Sequence, residues 1–175
     1  MNTADTADTA DTADTADTAE RSREITTRTG FRFQVRPARP DDEAALAEFF
    51  THVTPDDLRF RFLTGLQKVG HDRLAAMTQV DHHLKENFLA FEGDGTTIIA
   101  TAMLACVPDM LRGEVAISIR ADYKNKGVSW ELLEHVAHDA QAKGVKMIES
   151  IESRENHEAI ELECGFRGDR AHRSD

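Results

Sequence analysis

A mixed α/β layer fold is predicted for this chain, and two features of the sequence carry that expectation. Apolar residues recur with a period of two in some stretches and near 3.6 in others. The two kinds of stretch follow in the order strand, helices, antiparallel hairpin strands, then strand, helix, strand, helix, which is the pattern of an α/β domain with a mixed sheet. Size agrees, since 175 residues with 40% hydrophobic side chains suffice for one domain with its own core.

The elements read as follows. "FRFQVRP" (31–37) sets Phe31, Phe33 and Val35 against Arg32, Gln34 and Arg36, the alternation of a half-buried strand ended by Pro37 and Pro40. "DDEAALAEFF" (41–50) opens with carboxylates and spaces Ala45, Leu46, Phe49 and Phe50 helically, so a helix begins near Asp41. "TPDDLRFRFLTGL" (54–66) predicts a second helix with Thr54 as N-cap and Pro55 at its first position, and "HDRLAAMTQV" (71–80) a third. "NFLAFEG" (87–93) and "TTIIATAMLACV" (96–107) are β-favouring runs joined at Gly93-Asp94-Gly95, a hairpin signal. "GEVAISIRADY" (113–123) adds a strand, residues 127–143 a helix stopped by Gly144, "VKMIESIES" (145–153) a strand and "NHEAIELECG" (156–165) a short helix.

The first twenty residues stand apart. Thr3 to Glu20 reads TAD five times and then TAE, with no large apolar side chain to offset the entropy of ordering. Residues 1–28 are therefore expected as a disordered, low-complexity acidic tail and residues 29–175 as the single domain. That tail distorts the net charge of −11, because six of its residues are carboxylates and none is basic, which leaves residues 21–175 at −5. A mildly acidic body argues against the broad basic face of a nucleic-acid binder. Cys106 and Cys164 lie far apart and outside any CxxC spacing, which fits a reducing cytoplasm. No apolar run reaches membrane-span length and no signal peptide pattern is present, so no membrane partner and a cytoplasmic location are expected.

Chemistry is expected at "YKNKGVSWELL" (123–133). A glycine after a strand and at the head of a helix lets an anion approach free backbone N–H groups, where the helix dipole favours negative charge. Lys124 and Lys126 would add charge and Ser129 a hydroxyl, while GxxxxGK[ST] and GxGxxG are both absent. The competing reading is a solvated basic turn with Ser129 capping the helix. The histidine pairs His82-His83 and His135/His138 lack a supporting ligand set, so no metal is expected.

The order of elements and this loop together resemble the Gcn5-related N-acetyltransferase (GNAT) family, whose phosphate loop follows Gln/Arg-x-x-Gly-x-Gly/Ala. The matching residues are Lys124-Asn125-Lys126-Gly127-Val128-Ser129, with Lys124 and Ser129 substituted at two signature positions. The resemblance runs from about Phe33 to Phe166 and includes "RPARPDDEAALAEFF" and the closing "ENHEAIELECGF". Through "DLRFRF" (57–62), "MTQVDHHLKENFLAF" (77–91) and "GEVAISIR" (113–120) it looks most like the bacterial protein-lysine acetyltransferase branch.

That resemblance implies an acyl-CoA N-acyltransferase fold and acetyl-CoA as donor. It implies Glu114 as general base, the backbone of Ile117, Ser118 and Ile119 beside the pantetheine arm, and Lys124, Asn125, Lys126, Gly127, Val128, Ser129 and Trp130 around the pyrophosphate. Asn156 would sit near the thioester. The acceptor would be a protein lysine. A small-molecule amine acetyltransferase and a non-catalytic acetyl-CoA-binding regulatory module are the alternatives. No tyrosine lies near Asn156 to serve as general acid, and Tyr123, before the loop, suits packing. Nine residues follow Phe166, too few for the last pair of strands in the family, so a trimmed fold or a homodimer partner is expected to close the acceptor side.

Overall fold

The computed structural model describes residues 21–62 and 68–149. Among these residues, six strands form one sheet in the order β1-β2-β3-β4-β5-β6: β1 (Arg23–Thr26), β2 (Arg32–Pro37), β3 (Lys85–Phe91), β4 (Ile98–Cys106), β5 (Arg112–Ile119) and β6 (Met147–Glu149). Neighbours pair antiparallel up to β5, whereas β6 joins β5 in parallel. A parallel partner needs a crossover, and α4 (Val128–Ala142) supplies it. The remaining helices, α1 (Glu43–Thr51), α2 (Pro55–Phe62) and α3 (His71–Thr78), lie between β2 and β3 in the chain.

Each face of the sheet has its own core. Phe33, Val35, Phe88, Ala102, Leu104 and Val115 pack against Leu132, Leu133, Val136 and Ala140 of α4. Leu89 and Phe91 pack on the opposite face against Leu46, Phe49, Phe50, Leu58, Leu74 and Met77 of α1 to α3. β3 is buried on both faces because it sits mid-sheet between these layers. A bidentate ion pair fixes the entry to α1: both Arg36 guanidinium nitrogens lie 2.7 Å from the carboxylate oxygens of buried Asp42, which also accepts the Arg39 N–H.

Most of the expected elements form. Thr54 caps α2, its hydroxyl accepting the Asp57 N–H at 3.2 Å, and Pro55 opens the helix. The β3–β4 hairpin turns where Gly95 takes φ +71° and the Asp94 carboxylate accepts the N–H groups of Thr96 and Thr97, which draws its pKa down to about 2.

Three boundaries differ. Arg23–Thr26, inside the stretch expected as tail, forms β1 and pairs with Arg32–Val35. Only Ile25 among these four is apolar, so no period-two signal exists; order comes from the neighbouring strand. β5 ends at Ile119 and not at 123, because Ala121–Tyr123 turn as a 3-10 helix. The first helix begins at Glu43, after a 3-10 turn over Pro40–Asp42. The rest of the expected last strand, the closing helix, Asn156, Cys164 and the TAD repeats lie outside the described residues.

Candidate active site

Gly127 stands between β5 and α4 in the left-handed conformation, φ 84° and ψ 2°, which a glycine adopts without a Cβ penalty. A Cβ there would also come within 3.2 Å of the Thr27 Cβ. The N-cap of α4 is Gly127 itself, which has no side chain to cap the helix, and the bond from Glu131 N–H to the Gly127 carbonyl is a long one at 3.4 Å. The N–H groups of Val128 and Ser129 therefore point out of the helix start without intrahelical partners among the described residues.

The loop is built from both sides. The Thr29 hydroxyl donates to the Lys126 carbonyl at 3.1 Å, Thr27 and Thr29 share a hydrogen bond of 2.8 Å, and Arg28 stacks over the Trp130 ring at 5.7 Å. These supports sit in the β1–β2 turn, which sequence reasoning missed because Thr27 and Arg28 fell inside the expected tail. Asn125 also has positive φ, at 61°, so the loop turns sharply just before the glycine.

The two lysines are not equivalent. Lys124 Nζ lies 2.6 Å from Asp57 of α2, which ties the loop to the far face of the sheet. Lys126 Nζ rests over the rings of Tyr123 at 4.5 Å and Phe31 at 5.2 Å, leaving its charge without a carboxylate among the described residues. Burial, first, and then a hydrogen bond with Glu92 push the Tyr123 hydroxyl up to about 12, so Tyr123 supports the loop and stays protonated.

β5 carries the other expected residues. Val115 and Ile119 face the α4 core, so Glu114, Ala116 and Ser118 face α2. Glu114 is exposed and makes no side-chain hydrogen bond or ion pair among the described residues. Its backbone pairs with Ala105 of β4 on one side and Glu149 of β6 on the other. The pairing described with β6 covers Arg112–Glu114, and Ile117, Ser118 and Ile119 lie beyond it along the same edge. The side chains of Ile119 and Val128 are buried, so only their backbones are free to meet a ligand.

Arg61 of α2 went unnoticed in the sequence, where "LRFRF" reads as core spacing. Burial pushes its guanidinium pKa down, Glu114 opposes that and Arg73 adds to it, which places the three charges in one neighbourhood. Residues 47–166 match the acetyltransferase (GNAT) family. The chain belongs to that family. As a GNAT protein it is an N-acetyltransferase that takes its acyl group from acyl-CoA.

Solved structures agree on the GNAT fold. The GNAT domain of S. lividans PAT superimposes with a TM-score of 0.78 at 22% identity, over 84% of this chain and 87% of that one. A GNAT acetyltransferase from Streptococcus pneumoniae gives 0.62 at 22% identity, over 77% and 83%. A cAMP-binding acyltransferase from Mycobacterium smegmatis gives 0.57 at 22% identity, and this chain spans 42% of its length.

The features around Gly127 suit the pyrophosphate of such a donor. An uncapped helix start, a glycine without Cβ and a lysine ammonium held only by ring faces are what a dianionic group needs on three sides.

Proposed function

We propose that this GNAT protein transfers the acetyl group of acetyl-CoA to the side-chain amine of a lysine in another protein, with Glu114 as general base. The observation that carries the reading is the placement of Glu114. It is a solvent-facing carboxylate held by no partner among the described residues, on the strand whose other end leads into the uncapped start of α4. The lysine acceptor is supported by the sequence resemblance to the protein-lysine acetyltransferase branch and by the likeness to the S. lividans PAT domain.

In this reading, acetyl-CoA supplies an activated thioester. The N–H groups of Val128 and Ser129, with Lys126, bind the pyrophosphate, and the β5 edge along Ile117–Ile119 orients the pantetheine arm. A lysine amine with pKa ~10.4 is neutral in only on the order of one molecule per thousand near pH 7, so the site must remove a proton. Glu114 accepts it directly or through water as the C–N bond forms and the thioester C–S bond breaks, CoA leaving as the thiol. A backbone N–H of β5 stabilises the oxygen as charge gathers on it.

The test has two readouts. Acetyl-CoA should raise the melting temperature of the purified chain, and incubation with a lysine-bearing protein should add about 42 Da per acetyl group. Stabilisation without transfer to any amine would make the chain a binding module; transfer to a small amine alone would replace the protein acceptor.

A further inference from the structure

Where α2 covers the face of β5 that carries Glu114, two buried polar atoms have no hydrogen-bond partner among the described residues. Ser118 is 4% exposed and its Oγ has no hydrogen-bond partner among the described residues. Arg61 Nε is buried and equally without a hydrogen-bond partner among these residues. The hydrogen bond its guanidinium does make runs from Nη2 to the Met103 thioether at 3.6 Å, a weak acceptor. Nor does a carboxylate pair with Arg61 among the described residues; it stacks on Phe62 at 5.0 Å, and Arg73 stacks on the same ring at 5.1 Å.

Burying the Nε donor of a half-buried guanidinium in this state is costly unless something else completes it, because an unpartnered buried donor loses its water and gains nothing back. The missing partner must be an acceptor and, beside two guanidinium groups, an anionic one. Met103 pairs with Ala116 in the sheet, so Arg61 lies over the stretch between Glu114 and Ser118. Two steps of strand separate Glu114 from Ala116, about 7 Å along its length.

We propose that Arg61, with the Ser118 hydroxyl, forms an anion-recognition subsite that reads a carboxylate on the acceptor, one lying several ångströms from the amine presented to Glu114. This inference rests on the acetyltransferase reading of the site. Two sources supply that chemistry at that span: an aspartate or glutamate next to the target lysine in a protein, and the α-carboxylate of a free diamino acid whose distal amine is acetylated. A planar guanidinium takes a carboxylate through two parallel N–H donors, which Arg61 has to spare.

The experiment measures binding without turnover. The CoA-loaded chain is titrated calorimetrically with two pairs of probes: lysine peptides that carry Asp or Asn beside the lysine, and free lysine against lysinamide. Wild type should hold the acidic member of at least one pair about tenfold or more tighter, the size expected of a charge-assisted hydrogen bond. A preference confined to the peptides assigns the anion to a protein acceptor, and one confined to free lysine assigns it to an amino acid.

Arg61→Met should erase the preference at an unchanged or raised melting temperature, and Arg61→Lys should restore part of it. Equal affinity for both members of both pairs in wild type overturns the proposal, as does an Arg61→Met variant that keeps the preference. Should Arg61→Met fail to fold, the wild-type pairs still decide. An acid preference in a chain that acetylates nothing would sink the function proposed above and leave this subsite standing.

Discussion

Glu86 and Arg61 are charged side chains on opposite faces of the same sheet, the first buried and the second half-buried, and their surroundings could hardly differ more. Glu86, 1% exposed on the α4 face, receives Arg21 at 2.8 Å, His82 at 2.9 Å and Lys143 at 3.5 Å. Asp139 closes the cluster through Lys143 at 2.7 Å and Arg21 at 3.3 Å. Desolvation pulls the Glu86 pKa upward, but the hydrogen bonds from Arg21 and His82, with Lys143, outweigh it and leave the group below its ordinary value. Arg61, on the α2 face, has a thioether and the Phe62 ring within reach of its charge, and its pKa falls chiefly because burial disfavours the cation. A satisfied buried charge marks a place where the chain holds itself together; an unsatisfied one marks a place where it waits for a ligand.

The comparison is most easily broken at Glu114. Glu114→Gln removes a base that makes no hydrogen bond or ion pair among the described residues, so turnover should fall by about a hundredfold or more. Its unfolding free energy should stay within about 0.5 kcal/mol of wild type, as for an exposed side chain with no partner. Steady-state kinetics and urea unfolding on the same preparation would show the split, and a large loss of stability would mean that Glu114 is structural.

Glu86→Gln should do the reverse. Removing the carboxylate leaves Arg21, His82 and Lys143 facing an uncharged amide, and breaking such a buried cluster costs about 3–5 kcal/mol. A pH signature accompanies it. The folded pKa of Glu86 lies below the unfolded value of 4.5, so its contribution is present above that value and drains away as pH falls below it. Urea titrations from neutrality down through that range should show a slope in wild type that Glu86→Gln lacks, and equal slopes would remove Glu86 from the stabilising role.

How much of this was legible in the sequence follows the same division. Strands and helices with a clean period were readable, as was the loop at Gly127, because local sequence sets backbone conformation there. β1 was hidden, since one apolar residue in four gives no period and its order comes from pairing with β2. The buttressing of the loop by Thr27 and Thr29 depends on a turn nearly a hundred residues earlier in the chain. Arg61 and Glu86 were hidden for a deeper reason: a charged residue in an amphipathic stretch reads as solvent-facing, and only tertiary packing reveals whether a partner arrives. The expected roles of Lys124 and Lys126 looked identical in "KNK", yet Asp57 holds one and two rings hold the other.

The finest form of the comparison lies within a single cross-strand pair. Thr101 of β4 sits opposite Ser118 of β5, both buried hydroxyls on the α2 face. Thr101 Oγ1 donates to Asn87 Oδ1 at 2.7 Å, and Asn87 Nδ2 donates in turn to the Met77 carbonyl at 2.8 Å, which anchors the end of α3 to the sheet. Ser118 Oγ has no such chain. Thr101→Val keeps the shape and strands the Asn87 carbonyl, so it should cost about 1–3 kcal/mol in urea unfolding. Ser118→Ala removes a hydroxyl that gains nothing in the free protein, so its stability should change by less than about 0.5 kcal/mol or rise slightly. If Ser118→Ala costs as much as Thr101→Val, the hydroxyl has a structural partner and its pairing with Arg61 as a ligand site loses half its support.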